Sequence, residues 1–218
     1  ILNRLVNWTG EGIIIDGDQR HPELIAQACN VTGKSVGTPI EADNIDESAT
    51  DLPPDRATMY RACVARGNYM SQDRSDIQYA VKELSRAMSA PCKGDVKKLK
   101  RLARYLARAQ RSKLLFRYLT REEARVVVYS DTDFAGCRRT RKSTSGGVLM
   151  LGSHTIKTWS STQAVIALSS GEAEYYGLVK AAAQGIGAKA MLLDLGIDVN
   201  EPVEVKSDAS AAIGIAQR

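Results

Sequence analysis

Residues 125–131 read RVVVYSD, and residues 170–194 read SGEAEYYGLVKAAAQGIGAKAMLLD. The first stretch is rich in β-branched residues and ends in a carboxylate, which predicts a buried strand. The second is rich in alanine and follows Ser169, a residue type favoured at helix N-caps, so it predicts a long helix. Residues 202–208, PVEVKSD, predict another short strand that ends in an aspartate. Strand, helix and strand in this order indicate an α/β fold with a parallel strand pair.

The remaining segments predict two domains with different compositions. Two short apolar runs, 147–151 and 155–159, flank a turn at Gly152-Ser153 and predict a hairpin, so residues 119–218 should form a mixed sheet with flanking helices. Residues 1–118 instead predict short extended pieces over 1–40, an acidic linker over 41–55, and then three helices. The third of these helices should begin after Gly94, with Asp95 as its N-cap.

Composition excludes several classes of protein. The chain has 218 residues, a formal net charge of +5 and a pI near 9.0. No apolar run approaches the roughly 20 residues that a membrane-spanning helix needs. The four cysteines are far apart in sequence and form no CxxC pair, which argues against a disulfide scaffold or a zinc site. Because the chain begins at Ile1 without a secretory leader, we expect an intracellular piece of a longer protein.

Three carboxylates are candidates for a metal site. Asp131 and Asp208 end two strands whose carboxyl ends should be adjacent, where open α/β sheets place their sites. Glu174 lies in line with Leu178, Ala181 and Gly185, on the helix face expected to pack on the sheet. Such a carboxylate is costly to bury unless it is paired or binds a cation. Glu172 instead fits a capping box at the helix start.

Three converging carboxylates would raise one another's pKa, and a divalent cation would relieve the repulsion. Hard oxygen ligands favour Mg²⁺ or Mn²⁺. From the residues alone, the alternative is equally open, since each acid is also typical of a strand end or a helix cap.

A stripe of basic residues runs along the third predicted helix of the first domain. Positive charge is concentrated in residues 61–118, where Lys and Arg far outnumber Asp and Glu, and this favours a polyanionic partner such as nucleic acid. The stripe recurs at helical spacing, opposite an apolar face, and comprises Lys97, Arg101, Arg104, Arg108 and Arg111. A solvated helix face with no ligand is the alternative interpretation.

A second basic cluster follows Phe134 in the predicted connection between strands. It contains Arg138, Arg139, Arg141 and Lys142. Three interpretations are open for these residues: a solvated hairpin loop, a nucleic-acid contact, or a short basic run of the nuclear-import type.

Four motifs lie along the second predicted domain: YSDTDFAG at 129–136, RKSTSG at 141–146, ALSSGEAEY at 167–175 and KSDASA at 206–211. In order and spacing they resemble the ribonuclease H domain of copia-type LTR retrotransposon polyproteins. Upstream, RGNYMSQDRSDIQYAV at 66–81 and LSRAMS at 84–89 resemble the end of the reverse transcriptase region of the same polyproteins. The resemblance covers nearly the whole chain and is weakest before residue 60.

The resemblance implies a ribonuclease H-like fold over 119–218 and the end of a reverse transcriptase region over 1–118. It maps Asp131, Glu174 and Asp208 onto metal-binding carboxylates that hold Mg²⁺ or Mn²⁺, and it implies endonucleolytic cleavage of RNA in RNA–DNA hybrids. It further implies the rest of the polyprotein as a partner and a location in the cytoplasm or the nucleus.

Two departures from the family pattern qualify these expectations. The paired-aspartate motif of the polymerase is absent from these 218 residues, so polymerisation is not expected of them. The family's fourth acidic residue, final strand and last helix would follow Arg218, so the ribonuclease H-like domain is expected to be incomplete. A non-catalytic remnant that binds nucleic acid remains the main alternative, and a related nuclease or integrase is another.

Overall fold

A computed structural model of the chain describes residues 3–31, 34–41, 50–108 and 113–218. The chain divides into two compact units, Ile1–Leu115 and Phe116–Arg218, three residues before the boundary expected from the sequence. Among the described residues, no helix is both long enough and apolar enough to cross a bilayer.

In its described residues, the first unit combines four helices with a small sheet. The strands β1 and β2 form an antiparallel hairpin, and β3, which begins in this unit and ends just beyond it, pairs with β2 to give the order β1-β2-β3. In chain order the elements are β1 (Leu5–Trp8), β2 (Gly12–Asp16), α1 (Arg20–Ala28), α2 (Pro54–Met70), α3 (Ser75–Ser85), α4 (Lys93–Arg108) and β3 (Lys113–Arg117).

The three predicted helices are confirmed as α2, α3 and α4, whereas α1 and β3 were not predicted. The prediction of Asp95 as an N-cap is wrong, because α4 begins at Lys93. Asp95 lies in the first turn, and its carboxylate accepts a hydrogen bond of 2.9 Å from the backbone N–H of Cys92. The predicted linker over 41–55 lies largely outside the described residues, and α2 already begins at Pro54.

The core of the first unit is built from the apolar faces of its helices. Tyr60 of α2 is fully buried, and its hydroxyl donates a hydrogen bond of 2.7 Å to the carbonyl of Leu84 at the end of α3. The bond satisfies the one polar atom of a large buried side chain, so the ring contributes its full apolar area. Helix α4 buries Val96, Leu99, Leu102, Ala103 and Leu106 in the same core.

The second unit is α/β, as predicted, with a four-stranded mixed sheet and two helices. The sheet order is β6-β5-β4-β7, in which β4 and β7 are parallel and the other pairs are antiparallel. The predicted hairpin is confirmed, with Leu151 opposite His154 around the Gly152 turn. The elements are β4 (Val126–Asp133), β5 (Thr144–Leu151), β6 (His154–Thr162), α5 (Ser170–Asp194), β7 (Glu204–Lys206) and α6 (Ser210–Ala216).

Helix α5 has the predicted bounds, and its buried face was predicted in part. The fully buried residues are Ala173, Gly177, Ala181 and Gly185, spaced four apart, whereas Glu174 and Leu178 are only half-buried. The small side chains let the helix backbone approach the sheet closely, because a Cβ at Gly185 would clash with Val203. Ala181 and Gly185 of the predicted stripe are therefore confirmed as buried, whereas over the first turns the packed face is displaced by one residue and Glu174 lies at its edge.

Candidate functional site

The parallel pairing of β4 with β7 brings Asp131 and Asp208 to the same edge of the sheet. Tyr129 lies opposite Lys206 in this pairing, and both aspartates follow two residues later. Asp131 lies within β4, which continues to Asp133, and Asp208 lies in the connection after β7. Both were predicted to end their strands, and neither does so. Both are exposed, so solvent and ligands can reach them.

Glu174 adds a third carboxylate from the first turns of α5. Burial raises the pKa of Glu174 above its usual value, and the negative charges of Asp131 and Asp208 raise it further. The neighbouring Thr132 acts in the opposite direction and lowers the pKa of Glu174. The Oε2 atom of Glu174 is buried and has no hydrogen-bond partner among the described residues.

Glu172 serves the helix start rather than this site. Its backbone N–H donates a hydrogen bond of 3.1 Å to the hydroxyl of Ser169, and its carboxylate accepts one of 2.8 Å from the N–H of Leu168. The expected capping role is confirmed, although the carboxylate accepts from the backbone N–H of Leu168 rather than from that of the N-cap, Ser169.

The three carboxylates are near one another but are not assembled into a tight metal cage. In the part of the chain that the structure describes, no group of three His, Cys, Asp or Glu side chains is arranged closely enough to hold a metal ion. The donor set nevertheless fits a hard divalent cation in kind, because all three groups supply oxygen and one buried oxygen lacks a partner. Side-chain rotations of the two exposed aspartates would have to complete the site.

A layer of buried polar side chains lies beneath the N-terminal half of α5, and the sequence reading missed it. A Cβ at Gly177 would lie 2.6 Å from the Thr132 hydroxyl oxygen and 3.0 Å from that of Ser130, so the helix rests directly on these hydroxyls. Gln163 donates hydrogen bonds to the Ser145 hydroxyl and to the carbonyl of Ala173. The alternation of side chains along β4 could have revealed this layer, because Ser130 and Thr132 point to the buried face when Asp131 is exposed.

The second basic cluster lies in the connection between β4 and β5, as predicted. Arg138, Arg139 and Arg141 are exposed, whereas Lys142 donates a hydrogen bond of 2.6 Å to the carbonyl of Ala164. The turn is closed by backbone hydrogen bonds between Cys137 and both Arg141 and Lys142. Three of the four cations are therefore accessible on a connection that begins three residues after Asp131.

The basic stripe on α4 is only partly accessible. Arg101 pairs with Glu41 and donates a hydrogen bond of 2.8 Å to the Thr38 hydroxyl, and Arg104 donates one of 2.9 Å to the carbonyl of Lys34. Lys97 and Arg108 are exposed on the same helix. Arg111 lies outside the described residues. Two members of the stripe therefore hold residues 34–41 of their own chain.

The second unit is thus an α/β domain with carboxylates near the C-terminal ends of two parallel strands. Similarity to known proteins agrees with the sequence motifs. The chain is 30% identical over 186 residues to the retrovirus-related Pol polyprotein from transposon RE1 of Arabidopsis thaliana, and 31% identical over 188 residues to that from transposon RE2. Each match covers 85% of this chain and 13% of the polyprotein. Retrovirus-related Pol polyproteins of plant transposons are therefore homologues of this chain, which spans about an eighth of their length.

A third relative is not named as a Pol polyprotein. The chain is 40% identical over 114 residues to the secreted RxLR effector protein 161 of Plasmopara viticola, which covers 52% of this chain and 78% of that protein. No family model and no solved structure matches the chain.

Proposed function

We propose that the second unit is a copia-type ribonuclease H domain that cleaves the RNA strand of RNA–DNA hybrids in a metal-dependent reaction. One observation carries the proposal: the β4–β7 register brings Asp131 and Asp208 to one edge of the sheet, close enough to Glu174 that their charges add to the effect of burial in raising its pKa. The four motifs shared with that family fall on this edge and on the elements around it.

The roles of the three carboxylates follow from their exposure. Asp131 and Asp208 are exposed, so each can reach a cation that lies between the sheet and the phosphate backbone of a bound hybrid. Glu174 is anchored on α5 with one buried oxygen in need of a partner. Bound Mg²⁺ or Mn²⁺ would stabilise the charge that develops on the phosphodiester during cleavage. The carboxylates would hold that ion at a fixed position next to the RNA strand.

Hybrid binding is assigned to basic side chains of each unit. In the second unit, Arg138, Arg139 and Arg141 are exposed on the connection that follows the strand of Asp131. In the first unit, Lys97 and Arg108 are exposed on α4, and Arg101 and Arg104 would add phosphate contacts if residues 34–41 moved away. Discrimination for RNA would come from its 2′-hydroxyl groups, which lie in a wide minor groove.

A second candidate function is nucleic-acid binding without cleavage. The absence of a tightly assembled three-carboxylate cluster from the described residues favours it. The exposed cations of α4 and of the β4–β5 connection would act in the same way under both proposals.

A substrate panel separates the two functions. The chain is incubated with Mg²⁺ and one end-labelled RNA in three forms: paired with DNA, paired with RNA, and single-stranded. The ribonuclease H proposal predicts cleavage of the hybrid alone and loss of that cleavage in EDTA. Binding to the hybrid with no cleavage in Mg²⁺ or Mn²⁺ would favour the binding function and contradict the nuclease.

A further inference from the structure

Gln163 makes an unusual connection between three elements of the second unit. It follows β6 and is nine-tenths buried. Its side-chain amide donates a hydrogen bond of 2.9 Å to the hydroxyl of Ser145 on β5 and another of 2.8 Å to the carbonyl of Ala173 on α5. Because a carbonyl can only accept, the amide nitrogen must face Ala173, which fixes the orientation of the amide.

The contacted carbonyl is in the first turns of α5, next to Glu174. Helix carbonyls are normally occupied by their own helix, so a second donor from outside ties this turn to the sheet. Gly177, one turn later, sets how closely the helix approaches β4, since a Cβ there would meet Thr132 and Ser130. Gly177 therefore fixes the distance between α5 and the sheet, and Gln163 fixes the position of its first turns along the sheet.

We propose that Gln163 is a positioning residue for Glu174, an inference that rests on the proposed function. Through Ser145 and the Ala173 carbonyl, Gln163 holds the helix backbone that carries Glu174 at a set position along the sheet. Without that restraint, Glu174 would have more freedom relative to Asp131 and Asp208, and the three carboxylates would converge on one cation less often. Gln163 itself contacts neither the cation nor the hybrid.

Gln163→Leu tests the proposal, because leucine has a similar size but no hydrogen-bond donor. Mn²⁺ affinity is measured without nucleic acid, from the electron paramagnetic resonance signal of free Mn²⁺. We expect the affinity to fall by about tenfold, the lower end of what the loss of an outer-shell hydrogen bond does to metal sites. Hybrid affinity in EDTA should stay within about twofold, since phosphate contacts are intact. In single-turnover cleavage, the rate should fall while the half-saturating hybrid concentration stays unchanged.

Two further variants separate positioning from general destabilisation. Leu149→Ala removes a buried side chain of β5 in the same unit and should lower stability without changing Mn²⁺ affinity. Ser145→Ala removes one of the two acceptors but leaves the bond to Ala173, so its loss of Mn²⁺ affinity should be smaller than that of Gln163→Leu. It also gives a second test if Gln163→Leu fails to fold.

The outcomes are distinguishable from failure of the proposed function. Asp131→Asn is measured beside the other variants. If it binds Mn²⁺ as tightly as wild type, the carboxylate site itself is wrong and the role of Gln163 falls with it. If Asp131→Asn loses affinity while Gln163→Leu keeps it, the site stands and the positioning role is overturned. An equal loss in Leu149→Ala would also overturn it, because the effect would then be one of general stability.

Discussion

Gly177 of α5 lies directly against Thr132 of β4, so closely that a Cβ on the glycine would be 2.6 Å from the threonine hydroxyl oxygen. Normal carbon–oxygen contacts are longer than this, and the neighbouring atom belongs to a short, buried side chain. The helix that carries Glu174 therefore requires a glycine at this position for a packing reason.

Gly177→Ala should destabilise the chain although alanine is the better helix former. We expect the unfolding free energy to fall by about 1–3 kcal/mol, the usual cost of overpacking a buried contact. Gly187→Ala in the same helix is the matched control, because nothing lies within 4 Å of a Cβ there. That variant should gain about 0.5–1 kcal/mol from helix propensity. Urea denaturation measures both, and a stabilised Gly177→Ala would contradict the observed helix–sheet distance.

Glu174 should make stability depend on pH in a defined direction. Because burial and the two aspartates raise its pKa, the folded chain holds this proton more tightly than the unfolded chain does. Glu174 thus contributes stability below the usual pKa of glutamate, and the contribution is lost as pH rises through the raised value. Glu174→Gln should therefore gain stability relative to wild type between about pH 4 and pH 7.

Denaturation of both forms across that pH range, without divalent cations, measures the effect. Glu201→Gln, on the exposed surface, is the control and should show no such trend. A difference between wild type and Glu174→Gln that stays constant with pH would mean that folding does not raise the pKa of Glu174.

The basic face of α4 can be tested by the salt dependence of hybrid binding. If Lys97 and Arg108 each neutralise a phosphate, replacing both with alanine should flatten the slope of log K against log salt by about 1–2 units. Arg101→Ala with Arg104→Ala should flatten it less, because these side chains are held by residues 34–41. Binding is measured from about 50 to 200 mM salt. Unchanged slopes in both pairs would leave α4 as a solvated helix face.

The sequence was sufficient for the elements with strong local signals. The alanine-rich composition and the Ser169 cap defined α5 over its whole length, and the order of elements predicted the parallel pairing of the strands before Asp131 and Asp208. Helix α1 was missed because its sequence, RHPELIAQA, is short and contains a proline. Strand β3 was missed because five residues after a helix carry little periodicity.

The finer geometry of the candidate site depends on packing that the pattern could not resolve. Small and apolar residues surround much of α5, so a stripe through Glu174 and one through Ala173 fit the helical period almost equally well. The close approach at Gly177 decides between them in favour of Ala173. The contacts of Gln163 are also invisible in sequence, because they join residues on three separate elements.

The most direct test of the proposed nuclease is the single-turnover cleavage of a labelled RNA–DNA hybrid by wild type and Asp131→Asn in Mg²⁺. Asp133→Asn is the matched control, because Asp133 is an exposed aspartate two residues later on the same strand. We predict that Asp131→Asn abolishes cleavage while hybrid binding stays near the wild-type value, and that Asp133→Asn continues to cleave. Equal cleavage rates for wild type and Asp131→Asn would contradict the assignment of this strand edge as the catalytic site.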